Sequence, residues 1–407
     1  MEPAGTSLPG EAVAPGRPET DAGDRTERRP ELEIGAHVSS SVLGAGMVVM
    51  PPVVAALAGG HSLLVWSAHI LLGGSISLML ALLVRARLRP ASLAGAVGAL
   101  LGSWAERAVN GVFAVAFTAG QAAIAWFAST CLLTAANGSL PRPGADGLLL
   151  ALGILVVAVL AALTPLSLPA AVLRLRSWVA GAVALACAAW GWPAASAVGS
   201  HTPLAPSGLS PGGAQWLALA ALFFAGVGWE SVTSVVPAVA AGPRRTAAGV
   251  ALGVASVAIV YLGLAAVHRL AAGEPAAPGP VSAPLRWVLA GATAAVLISY
   301  VFTNVRTAAR IAARLRPGEP APSERGPGRA LIAAVGVACC AFACTGVRDG
   351  AVPLLLLGPA VAAMTGFDLA AVAAVRCGGP LMRSAGALVL LVLAGMAVLA
   401  VPFLLGG

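Results

Sequence analysis

Gly44-Ala45-Gly46-Met47-Val48-Val49-Met50-Pro51 interrupts the first long apolar segment of this chain, and Phe223-Phe224-Ala225-Gly226-Val227-Gly228-Trp229-Glu230 interrupts the sixth. The first segment runs from Ile34 to Ala58 and the other from Ala214 to Ala240, so each opens one half of the sequence. A helix that breaks inside a bilayer strands polar backbone groups, at several kcal/mol each. Such a break persists where it lines a cavity, and a matched pair of broken segments points to a transporter binding site near the midplane.

Composition sets the same frame. The chain has 407 residues, 58% hydrophobic and only 10% charged, with mean hydropathy +0.90. A soluble domain carries about a quarter charged residues, so this is a polytopic membrane protein. All 24 basic residues are Arg. The pI near 10.1 does not indicate nucleic acid, because the Arg residues flank apolar segments and form no solvated basic domain; they read as topology signals. The six cysteines, Cys131, Cys187, Cys339, Cys340, Cys344 and Cys377, form no CxxC pair or Cys/His cluster. Neither a metal site nor a cofactor is expected, and the thiols read as packing residues.

Residues 1–31 are rich in Pro, Gly, Glu and Arg and lack apolar periodicity, which predicts a disordered cytoplasmic tail. Counting stretches of about 20 apolar residues gives eleven: 34–58, 63–84, 110–136, 146–164, 178–198, 214–240, 247–268, 283–305, 330–346, 352–374 and 385–405. Ser103-Trp104-Ala105-Glu106-Arg107 reads as an interfacial hinge before the third. With a cytoplasmic N-terminus, 20 Arg residues fall inside, Arg174 and Arg176 among them, and 4 outside. That asymmetry predicts this orientation in the cell membrane, with Gly407 outside.

The first interruption offers two chemistries. Glycine lets the backbone leave the helix. The half-helix beginning near Met47 presents free N–H groups and a positive dipole end, which favour a carboxylate. The half-helix ending near Val42 and Leu43 presents carbonyls, which favour an ammonium. Together they suit an α-amino acid zwitterion. The competing reading is a small-residue face for helix packing.

These motifs resemble those of the amino acid–polyamine–organocation (APC) permeases. Residues 44–51 fit the family's G-[SA]-G-[IV]-[FV]-x-x-P in its first span, and 223–230 fit its sixth. Pro243-Arg244-Arg245-Thr246 is similar to its N-P-x-R loop, and Tyr261 follows in the seventh span. Gly59-Gly60-His61-Ser62-Leu63-Leu64-Val65-Trp66 and Gly102-Ser103-Trp104-Ala105-Glu106-Arg107 look most like the bacterial branch that exports L-methionine and branched-chain amino acids. The resemblance implies an all-α APC/LeuT-type five-plus-five inverted repeat with discontinuous helices 1 and 6. It places helices 1–5 in residues 32–200, helices 6–10 in 201–376 and a peripheral helix 11 in 377–407. It further implies that the substrate meets Val42, Leu43, Gly44, Ala45 and Gly46 on one side and Phe224, Ala225, Gly226 and Val227 on the other. The Ala45 and Gly46 amides would hold the carboxylate; carbonyls around Val42, Leu43, Ala225 and Val227 would hold the amino group; Phe224 would be the gate. Gly226 stands where the family has an aromatic, which implies a larger pocket or a looser gate. Val239 stands where an acid is usual, and Gly242 replaces the loop Asn.

Glu230 is the one acid in the interior of the first nine segments, Asp146 standing at the edge of the fourth. An ionised carboxylate at the bilayer centre costs at least about 2.5 kcal/mol, so Glu230 is either a proton carrier or a hydrogen-bonded structural acid. Asp368 has the same two readings. Gln121, Ser129, Thr130, Thr134, Ser299, Thr303 and Asn304 are candidate pocket residues or helix–helix hydrogen bonds. In the fifth segment only Cys187 and Ser196 stand out as polar. His37 and His69 read as packing or interfacial groups. Val48, Ala125, Phe224 and Trp229 predict an apolar side-chain pocket.

The expectation is a non-enzymatic secondary transporter that exports neutral, hydrophobic amino acids by proton antiport. An uptake permease or exchanger of the same fold, and a membrane sensor that does not transport, are the alternatives. The expected partners are the amino acid, the proton and the lipid bilayer. Nothing in the sequence fixes an oligomer.

Overall fold

A computed structural model describes residues 29–85, 92–141, 144–165, 168–192, 211–239, 241–273, 281–315, 327–347 and 351–405. Most of the tail expected over 1–31, Ser196, and the 199–210 part of the loop before the sixth segment lie outside them. The described residues contain helices and turns but no strand. Their chain order is α1 Pro30–Val42, α2 Gly46–Ala58, α3 Ser62–Arg85, α4 Leu93–Leu101, α5 Ser103–Asn137, α6 Ala145–Leu163 and α7 Ala170–Ala189. Then come α8 Pro211–Ala221, α9 Val232–Val239, α10 Pro243–Gly273, α11 Ala283–Ala313, α12 Arg329–Cys344, α13 Ala351–Cys377 and α14 Pro380–Leu405.

Among the described residues, nine helical runs are long and apolar enough to cross a membrane, or ten if the bent pair Gly212–Phe224 and Trp229–Val239 is one span. The count departs from the expected eleven segments at the front, where the first is interrupted as the sequence predicts. The first is two helices of 13 residues each, α1 and α2, neither of which spans alone. The turn at Gly59, with φ 51°, then leads α2 into α3 within one run of 40 residues. Two other boundaries move. The third segment bends at Gly102, and Ser103–Arg107 is the first turn of α5, not a hinge. The fifth helix begins at Ala170, so Arg174 and Arg176 belong to a helix and not to a loop.

α5 runs through the centre, packed by α4, α6, α11, α12 and α13. α1 lies along α10 and α9. Helix packing in a bilayer relies on close approach, for which small residues serve. The α1–α10 seam shows this: a Cβ added at Gly249 would lie 2.8 Å from the Ile34 Cβ, and one at Gly253 would lie 2.8 Å from the Val38 Cβ. Large apolar side chains point outward instead, among them Leu71, Leu149, Leu160, Trp178, Ile259 and Leu391. That inside-out distribution fits a multi-pass membrane protein.

Replacing Gly253 by Leu should force α1 from α10 and cost about 1–3 kcal/mol, read as a lower thermal midpoint of the detergent-purified protein. Gly263→Leu on the same helix, where nothing lies within 4 Å, should leave the midpoint nearly unchanged.

Candidate functional site

The first interruption is short. α1 ends at Val42, Leu43 leaves the helix with φ −78° and ψ 87°, and α2 resumes at Gly46. Met47 N donates to the Gly44 carbonyl, and Val48 and Val49 N donate to that of Ala45. The amides of Gly44, Ala45 and Gly46 therefore make no backbone hydrogen bond among the described residues, as the start of a helix requires. These three N–H groups carry the positive end of the α2 dipole.

The second interruption is longer. α8 tightens into a 3₁₀ turn at Leu222–Phe224, unwinds over Ala225–Gly228, and re-forms through a 3₁₀ turn at Trp229–Ser231 before α9. The two arms meet at 46°. Gly228 has φ 146°, a backbone region that only glycine enters without strain. Its N–H donates to Glu230 Oε2 at 2.8 Å, so the acid caps the unwound stretch that carries it.

The interruptions touch. A Cβ on Gly228 would lie 2.6 Å from the Ser41 carbonyl oxygen, and one on Gly46 would collide with the Cβ of Ala225. Tyr261 of α10 fastens the contact from behind, its hydroxyl donating to the Val42 carbonyl at 3.2 Å. Its ring stacks on Trp66 of α3 with centroids 4.5 Å apart.

One cavity of about 350 Å³ opens between them. The first interruption lines it through Ser40, Ser41, Val42, Gly44, Ala45 and Gly46, and the second through Phe224, Ala225, Val227, Gly228, Glu230 and Ser231. Ala116, Phe117, Gly120, Gln121 and Ile124 of α5 form a wall, completed by Tyr300, Asn304 and Thr307 of α11 and Pro359 of α13. Asn304 Nδ2 donates to Gln121 Oε1 at 3.4 Å, tying the two helices together. Phe224 lies against α5, where a Cβ at Gly120 would be 3.4 Å from its ring.

Not every expected residue lines this space. Leu43 packs sideways into the apolar core. Gly226 faces away: a Cβ there would sit 3.0 Å from the His69 ring, so its small size makes room for a buried histidine and does not enlarge the pocket. His69 packs against Phe223, with ring centroids 5.1 Å apart. Trp229 is fully buried against Gly73, and neither it, Val48 nor Ala125 borders the cavity; the apolar contacts come from Ile124, Phe117 and Phe224. Ser129 and Thr134 are spent on carbonyls of their own helix. Asp368 also lies off the cavity, its Oδ1 buried without a partner among the described residues.

Arg176 enters the cavity unannounced. Its Nη1 donates to the Ser299 carbonyl at 3.2 Å and to Thr303 Oγ1 at 2.9 Å. Its guanidinium lies 4.0 Å from the centroid of the Tyr300 ring. In sequence it stands beside Arg174 at the edge of an apolar run, the usual mark of a loop. Only the earlier start of α7 would have shown otherwise.

No family model matches the chain, and no curated protein does. Solved structures of the Eremococcus coleocola manganese transporter are similar in fold. In complex with an aromatic bis-isothiourea substituted compound, that transporter is 15% identical, with 89% of this chain and 85% of that chain covered and a TM-score of 0.51. A glutamate-to-glutamine mutant of it is 14% identical, with coverage of 93% and 88% and a TM-score of 0.51. The chain therefore shares its overall fold with that transporter.

Gly228→Ala tests the contact between the interruptions. It should cost about 1–3 kcal/mol through backbone strain alone and also push the Ser41 carbonyl away, lowering the thermal midpoint of the purified protein. Tyr261→Phe, which removes a single hydrogen bond, should cost only about 1 kcal/mol in the same measurement.

Proposed function

We propose that this protein is a secondary active transporter that moves amino acids across the cytoplasmic membrane by alternating access, exporting neutral, hydrophobic ones in exchange for protons. The observation that carries the reading is that both helix interruptions border one cavity, with three unpaired amides on one side and a carboxylate on the other. Its 350 Å³ lies at the lower end of the roughly 300–1,000 Å³ of small-molecule sites. In this reading the Gly44, Ala45 and Gly46 amides take the substrate carboxylate. The ammonium meets Glu230 and the carbonyls around Ala225 and Val227. Ile124, Phe117 and Phe224 face the side chain, and Phe224 swings to close the path.

The motif resemblance to APC permeases supports the substrate class, and the fold shared with a transporter supports the mode of action. The five-plus-five inverted repeat then corresponds to α1–α7 and α8–α13, with α14 outside it and the N-terminus in the cytoplasm. Manganese, the cargo named for the structural neighbours, fits this cavity poorly. Manganese favours carboxylate, carbonyl and water oxygens. Here one carboxylate shares the cavity with a guanidinium, and among the described residues no three His, Cys, Asp or Glu side chains cluster to hold a metal.

Reconstitution into proteoliposomes tests the function. Radiolabelled leucine or methionine should exchange across the bilayer, and a proton gradient directed against the amino acid flux should accelerate it. Stimulation by a gradient running with the flux would instead assign an uptake permease, and no flux of any amino acid by folded protein would assign a sensor. Glu230→Gln should slow counterflow and lose stimulation by the proton gradient; an unaltered pH dependence would leave Glu230 a structural cap on Gly228.

A further inference from the structure

Two opposite charges share the cavity without meeting. Arg176 is held by the Ser299 carbonyl and the Thr303 hydroxyl, and Glu230 by the Gly228 amide. Among the described residues neither forms an ion pair. A charge set in a low-dielectric interior is costly unless a counter-charge answers it. The two groups reach the cavity from different elements, α7 and the second interruption. Arg176 lies over one face of the Tyr300 ring. The edge of that ring approaches the first interruption, 3.5 Å from where a Cβ on Gly44 would be. Arg176 thus stands one ring away from the unpaired amides of Gly44, Ala45 and Gly46, whereas Glu230 belongs to the second interruption. The cavity is thus lined by a guanidinium, the start of a helix and a carboxyl group.

We propose that Arg176 sets the charge class of the cargo: the site takes solutes that carry a carboxylate, draws that group to Arg176, and turns cations away. A guanidinium has five N–H donors in a planar fork suited to carboxylates, and the two bonds made by Nη1 do not exhaust them. The Tyr300 face and the α11 partners fix the fork in place, so little ordering is needed when cargo arrives. This inference rests on the amino acid reading for its choice of zwitterion, but the charge rule itself needs only the carboxylate.

The experiment is equilibrium binding to the detergent-purified full chain, with four probes: L-leucine, isoamylamine (leucine without its carboxylate), isocaproate (leucine without its amine) and Mn²⁺. The native chain should bind leucine best, isocaproate more weakly, and isoamylamine and Mn²⁺ not measurably. Arg176→Gln should weaken leucine and isocaproate about 10- to 100-fold, the loss expected for a charge-assisted hydrogen bond, and should erase the preference for leucine over isoamylamine. Arg176→Lys should restore that preference in part. The ratio of affinities is read within each variant, so a smaller folded fraction does not affect it. If Arg176→Gln binds leucine as the native chain does and still rejects isoamylamine, the role of Arg176 is overturned while the amino acid reading stands. If the native chain binds isocaproate but not leucine, and Arg176→Gln abolishes this, the amino acid reading falls and the charge rule stands. Binding of isoamylamine or Mn²⁺ by the native chain overturns the charge rule outright.

Discussion

The structure depends on one constraint: a peptide group inside a bilayer must find a partner or a polar space. Two helices stop short of crossing, and each stop leaves N–H or C=O groups unsatisfied. The fold answers by bringing both stops to the same place. Gly46 sits against Ala225, Gly228 against the Ser41 carbonyl, and Tyr261 binds the loose Val42 carbonyl from behind. What remains unpaired faces the cavity and not lipid. The glycines are needed here for space as much as for backbone freedom, since any side chain at 46 or 228 would hold the two stops apart.

Much of this was legible in the sequence because small residues in the middle of a long apolar run are conspicuous. The break at Gly44–Gly46, the unwinding at Ala225–Gly228 and the acid at Glu230 lie where the local pattern places them. Orientation of side chains was not legible. Gly226 sits between two residues that border the cavity, yet it turns toward His69, because an irregular stretch has no fixed period from which to infer its face. Trp229 fits a pocket by its position beside the break, yet it is buried behind the cavity against Gly73. Arg176 escaped for another reason: a basic pair at the end of an apolar run is ordinarily a membrane-edge signal. Its Tyr300 face and its Ser299 and Thr303 partners come from α11, far along the chain.

The similarity to a manganese transporter shows how little a shared fold says about cargo. Two chains with 15% identity can share a helical scaffold while the groups at its centre differ in kind. In this chain those groups are backbone amides, one acid, one guanidinium and aromatic rings.

The helix that delivers Arg176 is also thin cover. α7 turns Arg176 inward while Leu175 and Trp178, its near neighbours, are 61% and 80% exposed. A single helix thus divides the binding chamber from the surrounding acyl chains. Membrane thickness tilts such helices at a cost of fractions of a kcal/mol per ångström of mismatch, and a tilt of α7 would carry the guanidinium with it. One face of α7 borders the cavity while the other is left to whatever surrounds the protein.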